Sequence, residues 1–154
     1  MSEERPRLPE DFDLARVLMA REAEGEDPPD TLVDLREEVG TGPRIPVFEE
    51  LRQLVARLEE GTLEPAAFST AALQIQRRFE GAAARIDNAP LPQEEAAVLL
   101  LDVTAGALSG FAECVEAMRE AAARSSLEGV REALEEAAAQ AATLYEIYQM
   151  TLPA

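Results

Sequence analysis

Residues 101–122 read LDVTAGALSGFAECVEAMREAA. Within this stretch Leu101, Thr104, Leu108, Phe111, Val115, Met118 and Ala122 recur at steps of three and four. Such steps keep one stripe of an α-helix facing a partner along its whole length, whereas a half-buried strand alternates every second residue. A second seam follows, made of Leu127, Val130, Leu134, Ala137, Ala141, Leu144 and Tyr148. Toward the N-terminus, Phe68, Ala72, Ile75, Phe79, Ala82 and Ile86 make a third, and Phe48, Leu51, Val55 and Leu58 a fourth. Four apolar edges of this kind predict an all-α chain folded as an antiparallel four-helix bundle. The abundance of alanine, leucine, glutamate and arginine, all strong helix formers, agrees.

Local signals place the ends. The first helix is expected over residues 47–60, stopped by Gly61, since glycine best adopts a left-handed C-terminal cap. The second starts near Pro65, a residue tolerated in a first turn, and ends at Asn88-Ala89-Pro90-Leu91-Pro92. The third begins at Pro92, with Glu94 and Glu95 in a first turn where the helix dipole favours anions. No glycine or proline separates the third helix from the fourth. Ser125-Ser126-Leu127-Glu128 fits a capping box with Ser125 as N-cap and Glu128 at N3. The seam also steps by five from Ala122 to Leu127. Both features favour a hairpin at residues 123–127; the alternative is one continuous helix that pairs between chains.

A chain of 154 residues suits one domain with a sizeable core. It divides into an N-terminal arm, residues 1–46, and a helical bundle domain, residues 47–154. The arm holds six of the ten prolines and carries 13 acids against 6 arginines. It keeps two short amphipathic pieces, one with Phe12, Leu14, Val17 and Leu18 and one with Leu32, Val33, Leu35 and Val39. Isolated helices under about 12–15 residues are marginal in water, so the arm is expected to be partly disordered or docked on the bundle. The first bundle helix, about 20 Å long, cannot cover a third helix of about 48 Å. The Phe12–Leu18 piece is the nearest candidate to dock over the remainder, and a second copy of the chain is the other.

The net charge is −17, and all 14 basic residues are arginine. This usage suggests a GC-rich bacterial genome. The acidity argues against nucleic acid, whose phosphates require cations, and against anionic membrane surfaces. It leaves solubility, or a basic protein partner. A single cysteine, Cys114, excludes an internal disulfide. No leader pattern occurs at the N-terminus, and no apolar run approaches the roughly 20 residues of a membrane span. A cytoplasmic protein is expected.

The residue types needed for common chemistries are missing. There is no histidine, so neither Ser-His-Asp nor Cys-His catalysis is available, and no lysine for a Ser-Lys pair. Zinc sites need Cys or His, and di-iron bundles use Glu-x-x-His. No EF-hand calcium loop occurs. Glu113, Glu116, Glu120, Glu128, Glu132, Glu135 and Glu136 all fall off the seams and read as a solvated face. Asp102 lies within an apolar run but points outward on the helical repeat. Gly40-Thr41-Gly42 lacks the lysine of a phosphate loop. Arg77-Arg78 reads as a solvated face paired with glutamates. Tyr145 and Tyr148 read as end packing with hydroxyls toward water, and Cys114 as a half-buried apolar group. No catalytic residue, metal ligand, cofactor-binding residue or cofactor is assigned.

The sharpest remaining signal lies opposite the main seam of the third helix. Leu99, Val103, Gly106 and Gly110 repeat at four-three-four spacing, and the last two form G-x-x-x-G. Each interior glycine costs roughly 1 kcal/mol of helix stability relative to alanine. Two together suggest close approach of another backbone, the steric role that small residues play between helices. A central, fully surrounded helix, or one that bends at its glycines, is the alternative. This stripe is the candidate interface. G-x-x-x-G and Ser-x-x-Glu are too common to identify a family. The expected function is therefore a non-enzymatic protein–protein interaction module, an adaptor, regulator or chaperone-like subunit. A self-assembling structural homo-oligomer, such as a homodimer, and a small-ligand-binding bundle are the alternatives.

Overall fold

A computed structural model describes Phe12, residues 14–18 and residues 45–150. The Leu32, Val33, Leu35 and Val39 piece, the Gly40-Thr41-Gly42 sequence and residues 151–154 lie outside the described residues. The fold is an all-α helical bundle, with no strand among the described residues. Its helices are α1 (Leu14–Leu18), α2 (Pro46–Glu60), α3 (Pro65–Asp87), α4 (Glu95–Ala123) and α5 (Leu127–Met150).

Helices α3 and α4 bury the whole edge that their apolar spacing marks, and α2 and α5 most of it, with Leu134 of α5 only partly buried. All seven seam residues of α4 and all six of α3 are buried. Phe79 of α3 and Phe111 of α4 stack with ring centroids 4.3 Å apart, a geometry worth more than the area it hides. In α2 the buried line is Val47, Leu51, Val55 and Leu58, while Phe48 stands one position round and is only partly covered. Gly61 ends α2 at φ 80°, a backbone conformation open to glycine at little cost. There its N–H reaches the Leu58 carbonyl at 3.2 Å, and Thr62 N–H reaches that of Arg57 at 3.0 Å.

Helix α4 begins at Glu95, three residues after the expected Pro92. Gln93 and Glu94 are exposed and Pro92 is only partly buried, and the first buried residue of the helix is Ala97. Tertiary packing, which supplies most helical stability, has little to hold there. Its apolar content also corrects the expectation that no stretch approaches a membrane span. By length and composition α4 is long and apolar enough to cross one, yet 56% of its most apolar window is buried inside the fold, as a core helix requires.

The chain breaks between Ala123 and Leu127, and the capping assignment shifts by one residue. Ser125 sits at φ 57° with its N–H on the Ala122 carbonyl at 3.0 Å, so it belongs to the exit of α4. Ser126 is the N-cap of α5, its Oγ accepting the Gly129 N–H at 3.1 Å. Glu128 therefore stands at N2 and the expected box is not formed. Leu127, placed in the α5 seam by spacing, is 39% exposed, and the buried line starts at Val130. A Cβ on Gly129 would meet the Ala121 Cβ at 3.0 Å, so this glycine lets the two helices close tightly at the turn.

Helix α4 makes the most extensive contacts, with α3 and with α5; α2 touches α3 and α5, and α1 touches α2 and α3. Phe12, Leu14, Val17 and Leu18 are buried in the same apolar cluster as the bundle core. Arg78, read from sequence as part of a solvated face, is half-buried and donates from Nη1 to the Val17 carbonyl at 3.2 Å. Tyr145, expected to keep its hydroxyl wet, is among the largest fully buried side chains; Gln149 Nε2 donates to that hydroxyl at 3.4 Å.

Candidate functional site

Thr104, Gln76 and Arg119, polar side chains on the inner faces of α3 and α4, are bound to the fold's own groups. Thr104, the one polar member of the α4 seam, is fully buried and donates to the Leu100 carbonyl at 2.6 Å. Gln76 is buried between α3 and α4. Arg119 Nη1 donates to its Oε1 at 2.9 Å, and Arg119 Nε to Ser69 Oγ at 3.1 Å. Gln76 Nε2 in turn donates to Glu80 at 3.2 Å. This network satisfies donors that would be costly to bury unpaired. Cys114 is buried on α4, and burial, followed by the nearby Glu136 and Glu113 carboxylates, pushes its thiol up from the ordinary value. A protonated, covered thiol is a poor nucleophile. Among the described residues no three His, Cys, Asp or Glu side chains converge as a metal set.

The outer surface is more informative. Large exposed apolar side chains among the described residues are Leu91, Leu99, Val103, Leu127 and Met150. Three of these belong to one region, where α3 ends and α4 begins. The local sequence explains why. Asn88 and Ala89 close α3 through hydrogen bonds to the Ala84 and Ile86 carbonyls. Ala89 and Leu91 each precede a proline, which disfavours helical backbone at both. The loop is thereby stiffened, and Leu91 stands 80% exposed on it. Facing it, the first turns of α4 present Leu99 at 58% exposure and, one turn on, Val103 at 50%. Between loop and helices lies a cleft of about 220 Å³, with buried Ile86 and Leu101, exposed Leu91 and Leu99, and the carboxylates of Asp87 and Asp102 in its lining.

The candidate interface residues fall into two groups. Leu99, Val103 and Gly106 share the exposed side of α4, and a Cβ on Gly106 would meet nothing within 4 Å. Gly110 is half-buried, and a Cβ there would come within 2.8 Å of the Gln140 side chain from α5. Gly110 thus faces α5 inside the fold, whereas Gly106 faces open space. Sequence reasoning missed Leu91, Ile86 and Asp87 as members of this region. The available signal was the Pro-Leu-Pro sequence, a leucine held between two prolines at a helix end.

A second cleft, about 330 Å³, opens between α2 and α5 beside Ile45, Phe48, Ala138 and Ala141. The salt bridge of Arg52 with Glu49, 3.1 Å, lies on its edge. A third, about 480 Å³, lies between Phe12 and the last turn of α3 at Arg85 and Asn88. No family model matches the chain, and neither a curated protein nor a solved structure shows significant similarity to it.

Proposed function

We propose that this chain is a non-enzymatic protein–protein interaction module built on an antiparallel four-helix bundle. The antiparallel reading is supported by contacts that run in opposite senses along each helix pair. Ser69 and Gln76 meet Arg119, while Phe79, further along α3, stacks on the earlier Phe111. Ala121 lies by Gly129, and Gly110 lies under Gln140. Glu59 pairs with Arg131 at 2.6 Å, whereas the earlier Phe48 shares a cleft with the later Ala141.

The observation that carries the functional reading is the apolar region of Leu91, Leu99 and Val103. Its residues are presented by a stiff loop and a core helix, while Thr104, Gln76 and Arg119 are engaged within the fold. Single exposed leucines need no explanation, but a contiguous exposed apolar region rimmed by charge marks an interaction site. The surface is presented on rigid elements, which lowers the ordering cost of association. The absence of histidine and lysine from the sequence supports a role other than catalysis. The net charge of −17 supports a partner other than nucleic acid.

Affinity capture from the native cell tests the reading. The wild-type chain is expected to retain a stoichiometric protein partner, and Leu99→Asp to lose it while keeping its helical circular-dichroism spectrum. A strictly monomeric mass together with no stoichiometric partner removes the proposal. Self-association is the second reading, favoured by the open space over Gly106. Light scattering on the wild type and on Gly106→Leu distinguishes it, because only a self-associating chain changes mass between the two.

A further inference from the structure

We infer that the cleft between the end of α3 and the start of α4 docks a cationic, leucine-bearing segment of a protein partner. One aliphatic side chain enters between Leu91 and Leu99, and flanking arginine or lysine residues pair with Asp87 and Asp102. The inference rests on the interaction-module reading and names the partner chemistry for it.

Size argues for a side chain rather than a metabolite. Small-molecule pockets run to about 300–1,000 Å³, and this cleft, at about 220 Å³, lies below that range. Its floor is greasy: Ile86 is 3% and Leu101 6% exposed. Charge argues for the partner's sign. Both charged side chains lining the cleft among the described residues are carboxylates, and Glu94 and Glu95, also exposed, stand at the adjoining start of α4. The whole chain adds a field of −17, which steers cationic partners and repels anionic ones. The same charges oppose a second copy as occupant. A two-fold contact brings the same patch of both subunits together and so gathers the Asp87 and Asp102 carboxylates of both into one interface. Apolar insertion supplies the affinity, whereas the rim carboxylates supply orientation, encounter rate and salt dependence.

The probe is a phage-displayed library of random peptides, selected on the full-length chain and counter-selected on Leu99→Asp. Enriched peptides are expected to carry an aliphatic residue flanked by arginine or lysine. A synthetic representative should bind more weakly as sodium chloride rises. Leu99→Asp should weaken it about tenfold or more, the signature of a buried anchor. Asp87→Asn with Asp102→Asn should weaken it less and flatten the salt dependence. Circular dichroism confirms that each variant stays folded. Aliphatic peptides with neutral or acidic flanks would overturn the charge assignment and leave the interaction-module reading standing. If no peptide distinguishes wild type from Leu99→Asp, the cleft is not the docking site; that reading then stands or falls on the native capture alone. A dimer that Leu99→Asp dissolves would assign the face to a second copy and overturn the inference.

Discussion

Two adjacent serines show how local backbone geometry decides chemistry. Ser125 occupies a positive-φ position that favours glycine, whereas Ser126 caps α5. Ser125→Gly is expected to stabilise the fold by up to about 1 kcal/mol, because the Cβ penalty of the left-handed region disappears. Ser126→Ala is expected to cost about 1 kcal/mol for the lost cap. Chemical denaturation checks both, and the reversed order would restore Ser125 as the cap. Cys114 gives a pH test. Its thiol is raised in the folded state, so its contribution is complete below the ordinary value of 9.0 and fades as pH climbs through the folded value. Denaturation curves above pH 9.0 should show wild type losing stability faster than Cys114→Ala. Iodoacetamide should label the native thiol far more slowly than the denatured one.

At the scale of the element, periodicity was readable and termini were less so. The α3 and α4 seams were legible because every member meets a partner helix, so the 3.6-residue repeat is written along their whole length. Leu127 broke the pattern, being an aliphatic residue in the first turn of α5 that stays 39% exposed. Pro92 misled because a good helix starter only permits a helix; α4 starts three residues later, close to its first buried side chain, Ala97. In the candidate site, Leu99 and Val103 were legible as a line opposite the seam. The cleft was not, because it joins that line to a loop and to the end of another helix. The glycines divide in the same way. Gly106→Ala, in open space, should stabilise α4 by about 1 kcal/mol through helix propensity. Gly129→Ala should show no such gain, or a loss, because its new methyl meets a Cβ that cannot swing away. Melting temperatures of the two variants check the contrast.

At the scale of the whole molecule, the acidic surplus sets the response to solvent. Self-repulsion at a net charge of −17 opposes compactness, and salt screens it. Raising sodium chloride from low to physiological levels and beyond should raise the melting temperature. Each 1 kcal/mol of relieved repulsion is worth about 2–4 °C for a domain of this size. A flat or falling trend would mean that ion pairs such as Arg131–Glu59 outweigh the surplus, against the small value expected for an exposed pair.

The central place of α4 has a kinetic consequence. Its two main partners are its neighbours along the chain, reached through short connections, whereas the contact of α2 with α5 spans most of the described sequence. Sequence-local contacts form first, because little loop entropy is lost in closing them. The α3–α4–α5 unit should therefore assemble before α2 locks across it. In the native protein the amides of α2 should exchange with deuterium faster than those in the middle of α4, with opening beginning at the α2–α5 groove.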